Sequence, residues 1–155
     1  MSLVTTDWLE KNLKNVKILD ATWHMPNSKK NALQEFFNSH IQGAQFFDLD
    51  KNSDEKNSVP HMLPSKKKWQ ETVSNYGISN EDIIVIYDNS DVISSCRCWY
   101  MLIYFGHNSK KVFVLDGGLK KWKLENKRTF EQLEILNKSN YLAGESKNLV
   151  KTKSQ

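Results

Sequence analysis

The run Ile83-Ile84-Val85-Ile86, followed by Tyr87, is apolar on consecutive residues rather than on alternate ones. A strand of this kind has no face to offer to water. It belongs at the centre of a sheet covered on both sides, which is the environment of parallel sheets. The segments after it agree with that placement. Asp88–Ser94 (DNSDVIS) is a short polar loop, and an apolar helix then runs to Phe105 and is closed by Gly106. A second apolar strand, Val112–Leu115, ends in Asp116-Gly117-Gly118 and leads into a short helix carrying Trp122. Strand, loop and helix N-terminus make a natural anion cradle, because the first amides of a helix lack intrahelical partners and point outward. Sulfur or phosphate chemistry would place its nucleophile at the first loop position, and that position holds Asp88.

The rest of the chain alternates in the same way. Asp7 with Glu10 reads as a capping-box-like helix start, with Trp8, Leu9 and Leu13 on one face. Val16–Asp20 and Ala44–Phe47 read as strands, and Asn31–Ser39 as a helix with Leu33, Phe36 and Phe37 inward. Ser65 is placed to cap a helix carrying Trp69, Val73 and Tyr76, which Gly77 stops. Strands separated by helices require crossover connections, so the fold class is α/β, a mainly parallel central sheet with helices on both faces. The Ser2-Leu3 start is given no structural part and is compatible with a cloning remnant. Residues 48–64 are polar, irregular and longer than a usual connection, which suits a functional or mobile segment.

Several function classes are excluded by composition. The 155 residues suffice for one domain with a real core. The net charge of +4 rests almost wholly on Lys, with Arg only at Arg97 and Arg128. No aromatic platform interleaves with Lys66-Lys67-Lys68, so the basic balance reads as a solvated surface and no nucleic-acid partner is expected. No apolar run is long enough to span a membrane and the N-terminus is not a secretory signal, so no membrane partner and a cytoplasmic location are expected. Cys96 and Cys98 argue against a disulfide scaffold. Two positions apart on a helix they face nearly opposite sides, about 200° apart, so they are not placed to share a metal; no metal and no cofactor are expected. A phosphatase of the same general fold would need Cys-x5-Arg, and Asp88 and Ser94 stand at those two positions.

Five motifs in order carry a family resemblance. They are Ile18-Leu19-Asp20-Ala21-Thr22-Trp23 followed by Met25-Pro26; His40-Ile41-Gln42-Gly43-Ala44 with Phe46-Phe47-Asp48-Leu49-Asp50; Pro60-His61-Met62-Leu63-Pro64; the segment around Asp88; and Leu115-Asp116-Gly117-Gly118-Leu119 with Trp122. Together, over about residues 4 to 125, they resemble the rhodanese family, the sulfurtransferases that carry sulfane sulfur on a cysteine. Gln42 stands where the family usually has Pro. The second and third motifs are similar to the first domain of the two-domain thiosulfate and 3-mercaptopyruvate sulfurtransferases.

That resemblance implies residues 1–128 as an N-terminal rhodanese-like domain and residues 129–155 as a segment similar to the interdomain linker, with Leu149-Val150 near the start of the next domain. It implies that the reactive cysteine lies in a second domain, which would be the partner, and that a small sulfur donor is the substrate. The loop Asp88-Asn89-Ser90-Asp91-Val92-Ile93-Ser94 would then be a silent copy of the cysteine loop, and no residue of this chain would be catalytic. A carboxylate cannot hold a persulfide; that needs a polarisable thiolate. His61 and Asp50 match positions implicated beside the partner domain's cysteine loop as a proton relay. Asp20 and His40 read as structural, Arg97 as a buried or interface ion pair, and His24 and His107 as surface or loop residues. Two further readings stay open: a complete, non-catalytic rhodanese-like module binding a partner or an anion at Asp88–Ser94, and a sulfurtransferase using Cys96.

Overall fold

The structure is a computed structural model that describes residues 2–145 and residue 150. Leu149, half of the pair expected near the next domain, lies outside the described residues. The strands are β1 (Ser2–Val4), β2 (Lys17–Asp20), β3 (Ala44–Phe46), β4 (Ile84–Tyr87) and β5 (Val112–Leu115), and the helices are α1 (Thr6–Asn12), α2 (Ala32–Asn38), α3 (Lys66–Asn75), α4 (Ser95–Tyr104) and α5 (Gly118–Leu124). All strand pairs are parallel, in the order β1-β5-β4-β2-β3.

The period-two geometry of a strand divides the core in two. Leu19, Ile84 and Ile86 point to one face, where Trp69 and Val73 of α3 and Cys98, Met101 and Leu102 of α4 cover them. Ile18, Val85 and Tyr87 point to the other, under Leu9 of α1, Phe36 of α2, and Leu119 and Trp122 of α5. Every residue of β4 is fully buried. Trp69 stacks on Phe105 at 5.0 Å, so α3 and α4 are locked together over the sheet. Ser65 caps α3 by accepting from the Lys68 amide at 3.2 Å.

The structure departs from the local signals at four places. Ser2–Val4 is an edge strand paired to Phe113–Leu115 of β5. Helix α1 is capped by Thr5, whose hydroxyl accepts from the Trp8 amide, rather than by Asp7, which sits in the first turn. On α2 only Phe36 is inward; Leu33 and Phe37 are 39% and 41% exposed, because the helix rests on the sheet along a single stripe beside the edge strand β3. His107 is not on the surface: it is 3% exposed, donates from Nε2 to the Asp82 carbonyl at 3.0 Å and stacks on Tyr141.

Residues 129–145 run along the domain. Phe130 and His40 exchange backbone hydrogen bonds as an antiparallel bridge. Farther on, Tyr141 is fully buried in the α3/α4 face, its amide bonded to the Ser74 hydroxyl at 3.0 Å, and the Gly144 amide reaches the Phe105 carbonyl at 2.8 Å. Tyr141→Ala is expected to cost about 3 kcal/mol of unfolding free energy, read by urea denaturation; a change within experimental error would mean that this segment is not part of the cooperative core.

Candidate functional site

The chain leaving β2 goes to α2 on one face of the sheet, whereas the chain leaving β4 goes to α4 on the other. Adjacent parallel strands whose connections part in this way open a crevice outside their carboxyl ends, and that is where open α/β sheets bind ligands. Thr22, Trp23 and the loop Asp88–Ser94 converge there.

Here the crevice is laced shut by the protein's own groups. The Asn89 amide donates to the Thr22 hydroxyl at 2.9 Å, the Trp23 amide to the Ser94 hydroxyl at 3.1 Å, and the Ser94 hydroxyl to the Ala21 carbonyl at 2.7 Å. Asp88 fills the cradle itself. Its Oδ2 accepts from the Ser95 amide, the first of α4, at 2.7 Å; its Oδ1 accepts from the amide and hydroxyl of Ser90 at 3.1 and 3.2 Å. The carboxylate therefore takes the donors that an external anion would use, and at 9% exposed it blocks access to them. From behind, Gly118 supports the loop at φ 56°, where any Cβ would run into the Asp88 carbonyl. That close approach is the physical reason for a glycine in the Asp-Gly-Gly turn.

Outside the cradle, Asp91 is bridged by Lys120 at 2.6 Å and Lys30 at 3.1 Å, and their hydrogen bonds and charge hold its carboxyl down at about 2. Val92 and Ile93 project into solvent, Ile93 with φ 52°.

His61 and Asp50 come together beside this loop: His61 Nε2 lies 2.7 Å from Asp50 Oδ1. Two residues that sequence reasoning leaves without a role stand nearby, Trp23 in the pair itself and Glu35 on the loop. Trp23 donates its indole N–H to both Asp50 oxygens at 3.2 Å and meets the His61 ring edge-on at 4.9 Å. Glu35 accepts from His24 and from the Asn89 side chain, at 3.0 and 3.2 Å. The only signal for Trp23 is its place at the strand exit; Glu35 has none, since its partners are 11 and 54 residues away. Residues 48–64 are tied down by the Asp54–Met62 backbone bond at 2.8 Å and by Lys68, which reaches the Ser53 carbonyl at 2.7 Å. A shallow cleft of about 240 Å³ opens next to Asp50, between Trp23, His24, Lys30 and Asp48. A larger hollow of about 660 Å³ lies at the opposite end of the sheet among Lys14, Lys17, Asp82 and Glu134, where charges of both signs converge on no common point.

The remaining candidates have structural surroundings. Arg97 makes no ion pair among the described residues; its guanidinium donates to the His61 carbonyl and lies over the Tyr100 ring at 5.6 Å. Its helix faces the Pro60–Pro64 turn rather than a carboxylate, so the buried form of the expected ion pair is not formed among the described residues. The His24 side chain is only 5% exposed in its bond to Glu35, so it too is not a surface residue. Cys98 is wholly buried and burial pushes its thiol up. Cys96 is raised by burial and then by the Asp88 charge, the opposite of an activated thiol. His40 is buried, with both ring nitrogens against backbone carbonyls of Phe36 and Gln132. Asp20 is buried against Thr22 and Tyr87, and loss of solvent raises its carboxyl to about 6. Among the described residues no cluster of His, Cys, Asp or Glu is placed to hold a metal ion, and no helix is long and apolar enough to cross a membrane.

Residues 5–125 match the Rhodanese-like domain family. The chain belongs to the rhodanese family. This rhodanese-like domain is 47% identical over 123 residues to thiosulfate/3-mercaptopyruvate sulfurtransferase 1, mitochondrial, of Arabidopsis thaliana, covering 78% of this chain and 32% of that protein. It is 39% identical over 133 residues to 3-mercaptopyruvate sulfurtransferase of Rattus norvegicus, covering 81% and 44%. The crystal structure of SseA from Escherichia coli, a 3-mercaptopyruvate sulfotransferase, superposes with a TM-score of 0.87 at 31% identity, covering 94% of this chain and 56% of that one. The chain thus spans less than half the length of these two curated relatives.

In this rhodanese-like domain, Asp88→Ala leaves the Ser95 and Ser90 amides without their acceptor and is expected to cost about 1–3 kcal/mol, measured by chemical denaturation. Burial raises the folded-state value of Asp20 from 3.8 to about 6, so its contribution to stability is complete below 3.8 and is lost as pH rises through about 6. Asp20→Asn should therefore be more stable than the wild type above pH 7, by on the order of 3 kcal/mol, with the gap closing towards pH 4. A pH-independent difference between the two proteins would contradict this.

Proposed function

We propose that this chain is the N-terminal, non-catalytic rhodanese-like domain of a two-domain sulfurtransferase, and that it forms one wall of the cleft in which the partner domain's cysteine works. The observation that carries the reading is the pairing of opposites at one sheet end. The anion cradle is closed by its own Asp88 carboxylate, while the Asp50–His61 pair beside it is ordered and open to solvent. A closed cradle cannot host a persulfide, but the adjacent relay can serve one presented from outside.

In this reading the partner is a second rhodanese-like domain of the same protein, and the donor is thiosulfate or 3-mercaptopyruvate, the two named for the relatives. The thiolate of the partner domain attacks the donor's sulfur. The S–S bond of thiosulfate breaks with sulfite leaving, or the C–S bond of 3-mercaptopyruvate breaks with the enolate of pyruvate leaving to be protonated. The persulfide so formed passes its outer sulfur to cyanide or a thiol acceptor. His61, oriented by Asp50, moves the proton that thiol ionisation and product release require.

Activity of the intact protein against that of this domain tests the proposal. The purified 155-residue chain is expected to release no sulfide from 3-mercaptopyruvate and to give no persulfide at Cys96 after thiosulfate treatment and alkylation. In the intact protein His61→Ala should lower kcat by about a hundredfold or more. Robust turnover by the isolated chain would overturn the reading. Native protein running at 18.1 kDa would favour a stand-alone binding module instead.

A further inference from the structure

We propose that Trp23 is the positioning residue of the Asp50–His61 pair, and that the loop Asp88–Ser94 serves as its anchor. The inference rests on the reading that this pair faces a partner domain's reaction site, and it assigns the loop a task that needs no nucleophile.

The pair cannot hold itself in place. The Asp50 side chain is 66% exposed, and an exposed carboxylate against an imidazole gains little over its hydration and loses rotamer freedom. Trp23 supplies what is missing. Its indole N–H sits 3.2 Å from each Asp50 oxygen, so one donor straddles the carboxylate and fixes its plane. The same ring stands at 90° to the imidazole, and that edge-to-face contact restricts the His61 ring flip.

Trp23 is itself held from two sides. Its ring packs against the apolar cluster under α3 and α4. Its backbone amide donates to Ser94 Oγ, and Ser94 is fixed by two further bonds: its hydroxyl donates to the Ala21 carbonyl at 2.7 Å and its amide to Ser90 Oγ at 3.3 Å. Ser90 is in turn held by Asp88. A continuous path therefore runs from the filled cradle through Ser90, Ser94 and Trp23 to Asp50 and His61. The opposite end of His61 is held as well: its backbone is left-handed at φ 59°, and Arg97 of α4 grips its carbonyl. A non-glycine residue kept in that region by a side-chain clamp is a mark of a site where orientation is selected.

The test is NMR of the ring and indole resonances in the wild type, Trp23→Phe, Ser94→Ala and Asp50→Asn, each as the 155-residue chain. Trp23→Phe keeps an aromatic ring in a smaller form and removes the indole N–H donor. It is expected to move the His61 Hδ2 and Hε1 resonances towards those of free histidine, with amide dispersion elsewhere retained; Asp50→Asn, which removes the charge from the pair, marks the size of shift that a lost partner gives. Ser94→Ala is expected to move the Trp23 indole N–H and the His61 ring together. Unchanged His61 resonances in Trp23→Phe overturn the proposal. Should that variant not fold, unchanged indole and His61 signals in Ser94→Ala overturn it instead. In the intact protein Trp23→Phe should lower kcat by about ten- to a hundredfold with KM unchanged, a split that a merely destabilised domain does not give. If the His61 ring moves in Trp23→Phe yet His61→Ala leaves the intact protein fully active, the positioning stands and the sulfurtransfer role of the pair falls.

Discussion

A strand with no solvent-facing residue has to be covered on both sides, and β4 is such a strand. Ile84, Val85, Ile86 and Tyr87 are all fully buried, and β4 pairs with β2 on one side and β5 on the other. Its even and odd residues feed separate cores, so α3 with α4 and α1 with α2 and α5 are demanded by one four-residue segment. The same arrangement sends the exits of β2 and β4 to opposite faces, which puts the polar loops of the site side by side at their carboxyl ends.

At that junction the competing electrostatic effects resolve in favour of closure. The free amides at the start of α4 attract negative charge, and Asp88 delivers it from within the chain, with no translational entropy lost in binding. Asp91 adds a second negative charge to the loop, but Lys30 and Lys120 neutralise it on the outside. One carboxylate thus builds the loop and the other ties it to α5 and to the turn before α2. The Asp50–His61 pair is left exposed because its partners, Trp23 and Arg97, hold it from beneath and behind rather than from the solvent side.

How much of this the sequence carries depends on the range of the interactions. The central strands, the cap at Ser65 and the glycine stops are local patterns, and they are legible as such. Gly118 is legible as part of a motif, although its reason, contact with the Asp88 carbonyl, is tertiary. The edge strand Ser2–Val4 is too short to show a period and is stabilised by β5, more than a hundred residues away. His107 is polar, which points outward, but a backbone carbonyl at Asp82 and the ring of Tyr141 from the C-terminal segment make its burial favourable. At the site, Asp50 and His61 lie 11 residues apart and can be named together; Trp23 cannot, because its link to them is set by where β2 ends relative to the segment after β3.

A loop that folds around a bound ion changes shape with the supply of that ion, and its stiffness varies with the composition of the surrounding solution. In the filled cradle the counter-charge is covalently part of the chain, so the cradle keeps its donors satisfied whatever anion the solution holds. Were a second domain to close against it, as proposed above, it would meet a cradle of constant shape, and an ion entering the space between them would find these donors already taken.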